Sequence, residues 1–392
     1  YQVLVFLIIF TLSPLDTAAA HIGHYKNLKR IEFDIYRNSK NIGKHIFSFK
    51  KNGKFLDVES KLNFQIKKFG IVLYKYNTEG VERYEGDKLI KFSSKTNQNG
   101  KEKYVNLKAE GKDLIIDSQV HAYEANTPSR PWKGFLQGPE QATGDDMVKA
   151  MDAVGVDAAL LVSPFSLYGY DATYAVQVHA KHPGKFGLIR PFDVKSPNIR
   201  EDLLQWASTP GVVGARLMLA NSDLQGNEPG IHDMFSAAAE VGIPINVMCS
   251  GNLSVFMELA NANPNTQLVI DHLGLQQPFV PPPPKDPFSD INQVIDAAQC
   301  DNVAIKISGA CTLSHKPFPY DDIWPSLQRI FDAFGFDRCM WGTDWTRAVE
   351  LLTYKEGVDS FRLADSISES ERKKLMGGSL VNIYNWEPGG RS

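Results

Sequence analysis

Charged and polar side chains interrupt a series of short apolar runs in the sequence after residue 113. They lie at or near the ends of these runs, at Asp117, Gln119, His121, Ser163, Arg216, Asp271, His272, Lys306, Ser308, Asp344, Trp345 and Arg347. Ionisable residues inside apolar segments need partners or a function. Carboxylates and imidazoles can transfer protons, and an arginine can bind a carboxylate through two parallel hydrogen bonds. The set predicts a site at the strand ends that is capable of acid–base chemistry.

The apolar runs alternate with segments of helical periodicity. Eight strand-like runs, from "LIIDSQVH" to "RCMWGTDW", are separated by stretches such as "GDDMVKAMDAVG" and "FSDINQVIDAAQC". This alternation is typical of parallel βαβ units, and eight units in about 270 residues predict a (β/α)8 TIM barrel over residues 114–388. A doubly wound open sheet is the alternative, but no G-x-G-x-x-G follows the first strand. In such barrels active sites lie where the strands end, so the polar residues should converge.

Residues 21–113 have a different pattern of apolar and polar residues. Short alternating runs are broken at Asn-Ser, Lys-Asn-Gly, Glu-Gly and Gln-Asn-Gly, which are hairpin sequences, so we expect a small antiparallel all-β domain. From His21 to Asp113 there are 21 lysines and arginines against 11 acidic residues, whereas the whole chain has a net charge of -3. A solvated lysine-rich surface explains this excess, and a polyanion or an anionic membrane is the alternative.

Residues 1–20 combine the apolar run "VLVFLIIF" with three alanines, as in a secretory signal peptide. The run is too short to span a bilayer, and a buried first strand is the alternative. We expect a periplasmic or secreted protein if the signal is used and a cytoplasmic one otherwise. The four cysteines form no C-x-x-C pair, which argues against a zinc finger or disulfide framework. We expect no nucleic-acid partner and no membrane partner after signal removal, and we leave homo-oligomer formation open.

The motifs "IDSQVHAYE", "VVGARLML", "LVIDHLG", "VAIKISG" and "MWGTDWTR", in this order, resemble the amidohydrolase-related (amidohydrolase 2) family. Within it the sequence is most similar to the dicarboxylate-lactone hydrolases and sugar lactonases, and the resemblance covers residues 114–388. It implies a (β/α)8 hydrolase that opens a lactone or similar cyclic ester of a small carboxylated molecule. The N-terminal part resembles exported all-β bacterial proteins of unknown function.

Metal-binding members of that family use His-x-His on strand 1, one histidine each on strands 5 and 6, and an aspartate on strand 8. Here Gln119 and Met248 occupy two of these positions, and His121, His272 and Asp344 occupy the others. Catalytic zinc usually has three protein ligands and a water molecule, and a thioether is a poor ligand for it. We therefore expect a metal-independent enzyme without a cofactor. One divalent metal such as zinc, held by the three remaining residues, is the alternative.

The expected reaction needs a base, stabilisation of an oxyanion and a site for the substrate carboxylate. Asp344 is the expected base, and His121 and His272 are expected to polarise the scissile carbonyl. The expected substrate-binding residues are Arg216, Gln119, Ser163, Ser308, Tyr168 and Trp345. Two other functions remain open: a metal-dependent decarboxylase or hydrolase whose site is completed by Asp117 or by the substrate, and a non-catalytic protein that binds carboxylates or carbohydrates.

Overall fold

The computed structural model of the chain describes residues 28–85, 88–108, 113–220, 222–278 and 280–389. The chain divides into two compact units between Lys112 and Asp113. The expected signal peptide, residues 1–20, lies outside the described residues. None of the described helices is long and apolar enough to cross a bilayer.

The first unit is an antiparallel sheet of six strands in sequential order, which confirms the predicted all-β domain. Its strands are β1 (Arg30–Arg37), β2 (Lys40–Asn52), β3 (Phe55–Lys68), β4 (Ile71–Glu85), β5 (Lys88–Gln98) and β6 (Lys101–Lys108). Alternation places apolar neighbours such as Phe49 and Val58 on one face, and ion pairs such as Lys50–Glu59 lie on the other. The β3–β4 turn, at Phe69–Gly70, is not one of the predicted hairpin sequences.

The second unit is an eight-stranded parallel sheet in sequential order, so the predicted TIM barrel is confirmed. Its strands are β7 (Ile116–Val120), β8 (Ala158–Val162), β9 (Phe186–Pro191), β10 (Val212–Met218), β11 (Ile245–Met248), β12 (Leu268–Ile270), β13 (Val303–Ser308) and β14 (Cys339–Gly342). The first and last strands meet where the Asp344 amide donates to the Gln119 carbonyl over 2.9 Å. Side chains at the ends of β7 and β14 therefore become neighbours.

Helices connect the strands and cover the barrel. They are α1 (Gly144–Val154), α2 (Phe165–Tyr168), α3 (Thr173–Lys181), α4 (Ile199–Ala207), α5 (Pro229–Val241), α6 (Leu253–Ala262), α7 (Ile291–Asp296), α8 (Trp324–Phe334), α9 (Tyr354–Arg362), α10 (Glu369–Lys373) and α11 (Ser379–Tyr384). Capping boxes fix some helix starts, as at Thr143 with Asp146 before α1. Leu380 and Tyr384 of α11 pack with strand residues such as Leu160 and Val269 in a core of their own.

Candidate active site

A network of buried ionisable side chains connects the ends of the barrel strands. Its members are His121 after β7, Arg216 on β10, Asp271 and His272 after β12, Lys306 on β13, and Asp344 and Arg347 after β14. All seven are buried. Because the C-terminal ends of parallel strands meet at one rim, residues far apart in sequence share this site.

Asp271 is the ion-pair partner of two cations. Arg216 Nε donates to Asp271 Oδ2 over 2.7 Å, and Lys306 Nζ lies 3.1 Å from Oδ1. Burial alone would raise the pKa of Asp271, but the charges of Lys306 and Arg216 outweigh it and hold that pKa well below its usual range. Asn246, supported by the Tyr384 hydroxyl, also donates to Oδ1. Asp271 therefore remains a carboxylate and fixes both cations.

Lys306 places a positive charge at full burial inside the barrel. Its Nζ also donates to Gln119 Oε1 over 2.9 Å, across 187 residues of sequence. Burial lowers the pKa of this lysine, and the neighbouring Asp271 opposes that change. The Gln119 side chain is thus oriented with its oxygen on Lys306 and its amide nitrogen 3.4 Å from His121 Nε2.

Both ring nitrogens of His272 already have partners. Arg216 Nη2 lies 3.3 Å from Nε2, and Ser308 Oγ lies 3.0 Å from Nδ1. Because arginine can only donate, Nε2 accepts, and the hydrogen of the neutral ring is on Nδ1. Burial lowers the pKa of His272 to about 4, with opposition from Asp344 and Asp271. His272 is therefore a neutral side chain near pH 7.

His121 and Asp344 face each other across the junction of β7 and β14. The Val162 carbonyl lies 2.7 Å from His121 Nδ1, and since a carbonyl only accepts, Nδ1 carries the hydrogen. With a hydrogen on Nδ1 alone, the ring would have a lone pair on Nε2, which lies 3.3 Å from Asp344 Oδ1. That oxygen is buried and has no hydrogen-bond partner in the described part of the chain. Arg347 Nε donates to the other oxygen, Oδ2, over 2.5 Å.

Arg347 connects Asp344 to the loop after β12. Burial would raise the pKa of Asp344, but Arg347 together with His272 and His121 outweighs it and holds that pKa well below its usual range. Arg347 Nη1 donates to the Pro278 carbonyl over 2.6 Å and Nη2 to Gln277 Oε1 over 2.7 Å. Gln277 Nε2 in turn donates to the Ser308 carbonyl over 2.8 Å. The guanidinium therefore keeps Asp344 ionised and fixes the rim loop.

The structure brings six of the nine sequence-predicted residues into this network and leaves three outside it. His121, His272, Asp344, Arg216, Gln119 and Ser308 contact one another directly or through one residue. Ser163 instead donates to the Asp171 carbonyl over 2.7 Å, and the Tyr168 hydroxyl accepts the Glu124 amide over 3.0 Å. These two fix loops. Trp345 follows Asp344, and its buried Nε1 has no partner in the described residues.

The Asp117 side chain does not lie beside those of Gln119 and His121, although residues two apart on a regular strand share one face. The pairing of β7 with β8 shifts register between Asp117 and Val120, which breaks the alternation. The carboxylate accepts hydrogen bonds from the Thr343 amide and hydroxyl and from the Tyr354 hydroxyl. Burial raises its pKa to about 6 against these bonds. Asp117 therefore joins β7 to β14, and its oxygens are occupied.

The sequence pattern did not assign roles to several residues of the network. Lys306, Asp271 and Arg347 were recognisable as charges in apolar surroundings. Asn246 is likewise a polar residue inside a strand, "PINVM", but Gln277 and Tyr384 have no such signal. Their contribution depends on contacts between segments that are distant in sequence.

The donor atoms do not fit the metal site expected as the alternative. His121 Nε2 and Asp344 Oδ1 form one pair, but both nitrogens of His272 are engaged, and the Met248 thioether accepts from Arg216 over 3.7 Å. Among the described residues, no three His, Cys, Asp or Glu side chains are placed to hold a metal ion together. Catalytic zinc usually needs three protein ligands. The nearby Lys306 ammonium also repels a dication.

Comparison with known protein families gives two matches. A family described as amidohydrolase matches residues 116–379, and a domain of unknown function, DUF6134, matches residues 33–136. The second match covers the six-stranded sheet and continues into β7 and the loop after it. The expected resemblance to an amidohydrolase family is thus confirmed for the barrel.

Among curated relatives, a 4-sulfomuconolactone hydrolase of Rhizobium radiobacter is 25% identical over 215 residues, which cover 53% of this chain and 67% of that protein. A 4-sulfomuconolactone hydrolase of Hydrogenophaga intermedia is 22% identical over 270 residues, which cover 66% and 85%.

Two solved structures share the fold. One is a probable 2-pyrone-4,6-dicarboxylic acid hydrolase of Acinetobacter baumannii with citric acid bound (TM-score 0.58, 19% identity, 69% of this chain and 99% of that one). The other is an amidohydrolase of Burkholderia multivorans with bound zinc (TM-score 0.58, 21% identity, 69% and 99%). The barrel is therefore shared by one chain crystallised with citric acid and one crystallised with zinc.

Proposed function

This chain belongs to the amidohydrolase family, and on that premise we propose that it hydrolyses a lactone or similar cyclic ester of a small carboxylated molecule, without a metal. The observation that carries the proposal is the His121–Asp344 pair, in which a lone pair and an unpaired carboxylate oxygen lie 3.3 Å apart beside buried cations. The relatives named as hydrolases of sulfomuconolactone and of a pyrone dicarboxylic acid support the same reaction class.

The charge of the network favours an anionic substrate. Three cations, Arg216, Lys306 and Arg347, are joined to two carboxylates, Asp271 and Asp344, in the described part of the chain. With His272 neutral, these five groups carry one positive charge in excess. A substrate carboxylate would neutralise it, and buried charges are stable only when they are paired.

Arg216 is the residue best placed to bind that carboxylate. Its Nε is held by Asp271 and its Nη2 by His272 and Met248, whereas Nη1 makes no hydrogen bond within the described residues. The guanidinium is therefore fixed in orientation before a ligand arrives and keeps donor hydrogens for it. A fixed arginine binds a carboxylate without a further loss of side-chain entropy.

The His121–Asp344 pair is proposed to accept the proton of the attacking water. Asp344 alone is a weak base, because Arg347 holds its pKa well below the usual range. Imidazole is generally the better acceptor near neutral pH. The water proton would therefore move to Nε2 of His121 as the water oxygen bonds to the lactone carbonyl carbon, and Oδ1 of Asp344 would stabilise the imidazolium. When the ring C–O bond breaks, the imidazolium would return the proton to the leaving alkoxide, which stays in the product as a hydroxyl group.

The developing oxyanion would be stabilised by the fixed cations. In the neutral rings, Nε2 of His121 has no hydrogen to donate, and the Nδ1 hydrogen of His272 is directed at Ser308. The carbonyl-polarising role expected for the two histidines therefore moves to the field of Arg216 and Lys306. His272 would position Arg216, and Gln119 would orient His121.

The test is a turnover assay of the purified full chain on a panel of lactones. The panel pairs each carboxylated lactone with its uncharged methyl ester, and each assay is run with and without a strong chelator. We expect turnover of the carboxylated lactones only, unchanged by chelation, and a loss of turnover in His121→Gln. Asp145→Asn, a carboxylate on the surface beside Lys181, is the matched control.

Three results would contradict the proposal. Loss of activity to the chelator with recovery on adding zinc would favour the metal-dependent decarboxylase or hydrolase. Binding of the carboxylates without turnover would favour a binding protein. Equal turnover of the acids and their esters would remove the role of the positive charge.

A further inference from the structure

The hairpin that joins β3 and β4 extends beyond its neighbours in the N-terminal sheet. The pairing of β2 with β3 begins at Gly43 and Phe64, and the pairing of β4 with β5 ends at Tyr76 and Gln98. Within the described sheet, residues 65–75 therefore form strand pairs only with each other, and Lys75 at the base is also hydrogen-bonded through its backbone to Asn99. We call residues 65–75 the finger.

The tip of the finger is apolar and exposed. Phe69 is 92% exposed, Ile71 67%, Leu73 57% and Val72 45%. The two other described turns at this end of the sheet are the polar pairs Asn38–Ser39 and Asn99–Gly100. Contiguous exposed apolar side chains of this kind mark interaction sites.

The conformation of the turn does not account for its phenylalanine. Phe69 has φ +52°, the left-handed region, which is unfavourable for a bulky side chain and which asparagine adopts more readily. Asn99, in the corresponding turn of β5 and β6, has φ +51°. A residue suited to the turn is therefore present in the neighbouring hairpin, and the ring at position 69 needs another explanation.

The finger is also basic. Lys67, Lys68 and Lys75 lie within residues 65–75, which contain no aspartate or glutamate. The three lysines are exposed, and Lys68 Nζ lies 5.6 Å from the centre of the Phe69 ring. The finger thus combines an apolar tip with three nearby lysines. It lies in the part of the chain that has an excess of basic residues.

We propose that the finger docks on an anionic lipid bilayer, with its apolar tip in the headgroup and acyl boundary and its lysines on the lipid phosphates. Aromatic and aliphatic side chains partition into this boundary, and each nearby lysine adds attraction to anionic lipids. A bilayer can take up a narrow apolar tip, whereas a protein partner would need a groove of matching shape. The negative charge of the lipids is complementary to the lysines. This inference is an alternative to the expectation of no membrane partner, and it is independent of the barrel chemistry.

The experiment measures flotation of the full chain with lipid vesicles. The anionic vesicles contain phosphatidylcholine with about 30 mol% phosphatidylglycerol, and the neutral vesicles contain phosphatidylcholine alone. Attraction of about 1 kcal/mol per lysine corresponds to about fivefold in affinity, so neutral vesicles should bind about 100-fold more weakly. The variant Phe69→Ser with Leu73→Ser should lose at least about tenfold on anionic vesicles. Tyr104→Ser, an exposed aromatic on β6, is the matched control and should bind normally.

A charge variant and a label complete the test. Lys67→Gln with Lys68→Gln should weaken binding about 25-fold, whereas Lys51→Gln with Lys54→Gln, at the opposite end of the sheet, should change it less. The native cysteines are all buried, so a polarity-sensitive dye on Phe69→Cys reports the tip. Its emission should shift to shorter wavelength with anionic vesicles.

Two results would overturn the proposal. The first is vesicle binding by the Phe69→Ser, Leu73→Ser variant that equals the unmodified chain, with no shift of the dye. The second result has two parts: the unmodified chain does not bind vesicles, and the Phe69→Ser, Leu73→Ser variant is a monomer where the unmodified chain is a dimer. The finger would then be a contact between two copies of the chain.

Discussion

Nε2 of His121 lies 3.3 Å from Oδ1 of Asp344, and this oxygen has no hydrogen bond in the described part of the chain. The backbone carbonyl of Val162 fixes the tautomer of the imidazole, and Arg347 holds the other oxygen of the carboxylate. A base with a fixed tautomer next to a permanently ionised carboxylate is arranged to take a proton and to stabilise the resulting charge.

Asp344→Asn removes the carboxylate that stabilises protonated His121. General base catalysis typically contributes about 100- to 10,000-fold to the rate, and without its carboxylate partner His121 should lose up to that factor, so we expect kcat to fall and KM to change less. Rate and melting temperature should be measured on one preparation, with Asp145→Asn as the surface control. If the melting temperature falls while kcat per folded molecule is unchanged, Asp344 is a structural partner of Arg347.

Arg216→Met tests the carboxylate site. Removing one partner of a buried charge pair costs about 2–5 kcal/mol, so KM should rise at least about 30-fold, while kcat falls less. Asp271 keeps Lys306 and Asn246 as partners, and the fold should therefore survive. Arg200→Met, which breaks the exposed pair with Glu240, is the control. The prediction is wrong if inhibition by simple dicarboxylates is as strong in Arg216→Met as in the unmodified chain.

His272 and Asp117 should make opposite contributions to stability between pH 4 and 6.5. The folded pKa of His272 is about 4 against an ordinary 6.5, so the unfolded chain binds a proton first and the unfolding free energy falls as the pH falls. The folded pKa of Asp117 is about 6 against 3.8, so its contribution falls as the pH rises. Each group changes the unfolding free energy by about 3 kcal/mol at most.

Variants should separate these two contributions. On acidification from pH 6 to pH 4, His272→Gln should lose less stability than the unmodified chain, and Asp117→Asn should lose more. Urea unfolding at several pH values measures this. Parallel pH dependences in all three proteins would exclude the assignment.

Lys306 should oppose zinc binding. Gln119→His restores a histidine of the family pattern beside His121 and Asp344, but the ammonium of Lys306 would lie next to the new imidazole. We expect Gln119→His alone to bind zinc weakly and Gln119→His with Lys306→Met to bind it at least about tenfold more tightly, because a buried positive charge repels the ion. Competition with a chromophoric chelator measures the affinity. Equal affinities would show that the missing ligands alone exclude the metal.

Local patterns in the sequence determined the architecture and the location of the site. Alternation with hairpin sequences predicts the antiparallel sheet, and buried runs separated by helical periods predict the barrel, because both signals come from residues close in sequence. The charges of His121, Arg216, His272 and Asp344 in apolar surroundings place the site at the strand ends. The turn at Phe69 gave no such signal, since its residues are atypical of a turn.

Only the tertiary structure decided which side chains meet. The contact of Lys306 with Gln119 spans 187 residues, and a register shift within β7 separates Asp117 from Gln119. Ser163 lies at a strand end, as predicted, but its hydroxyl is used by a loop carbonyl. Periodicity reports the face on which a residue lies, whereas hydrogen-bond partners, tautomers and pKa values depend on neighbours that barrel closure brings together.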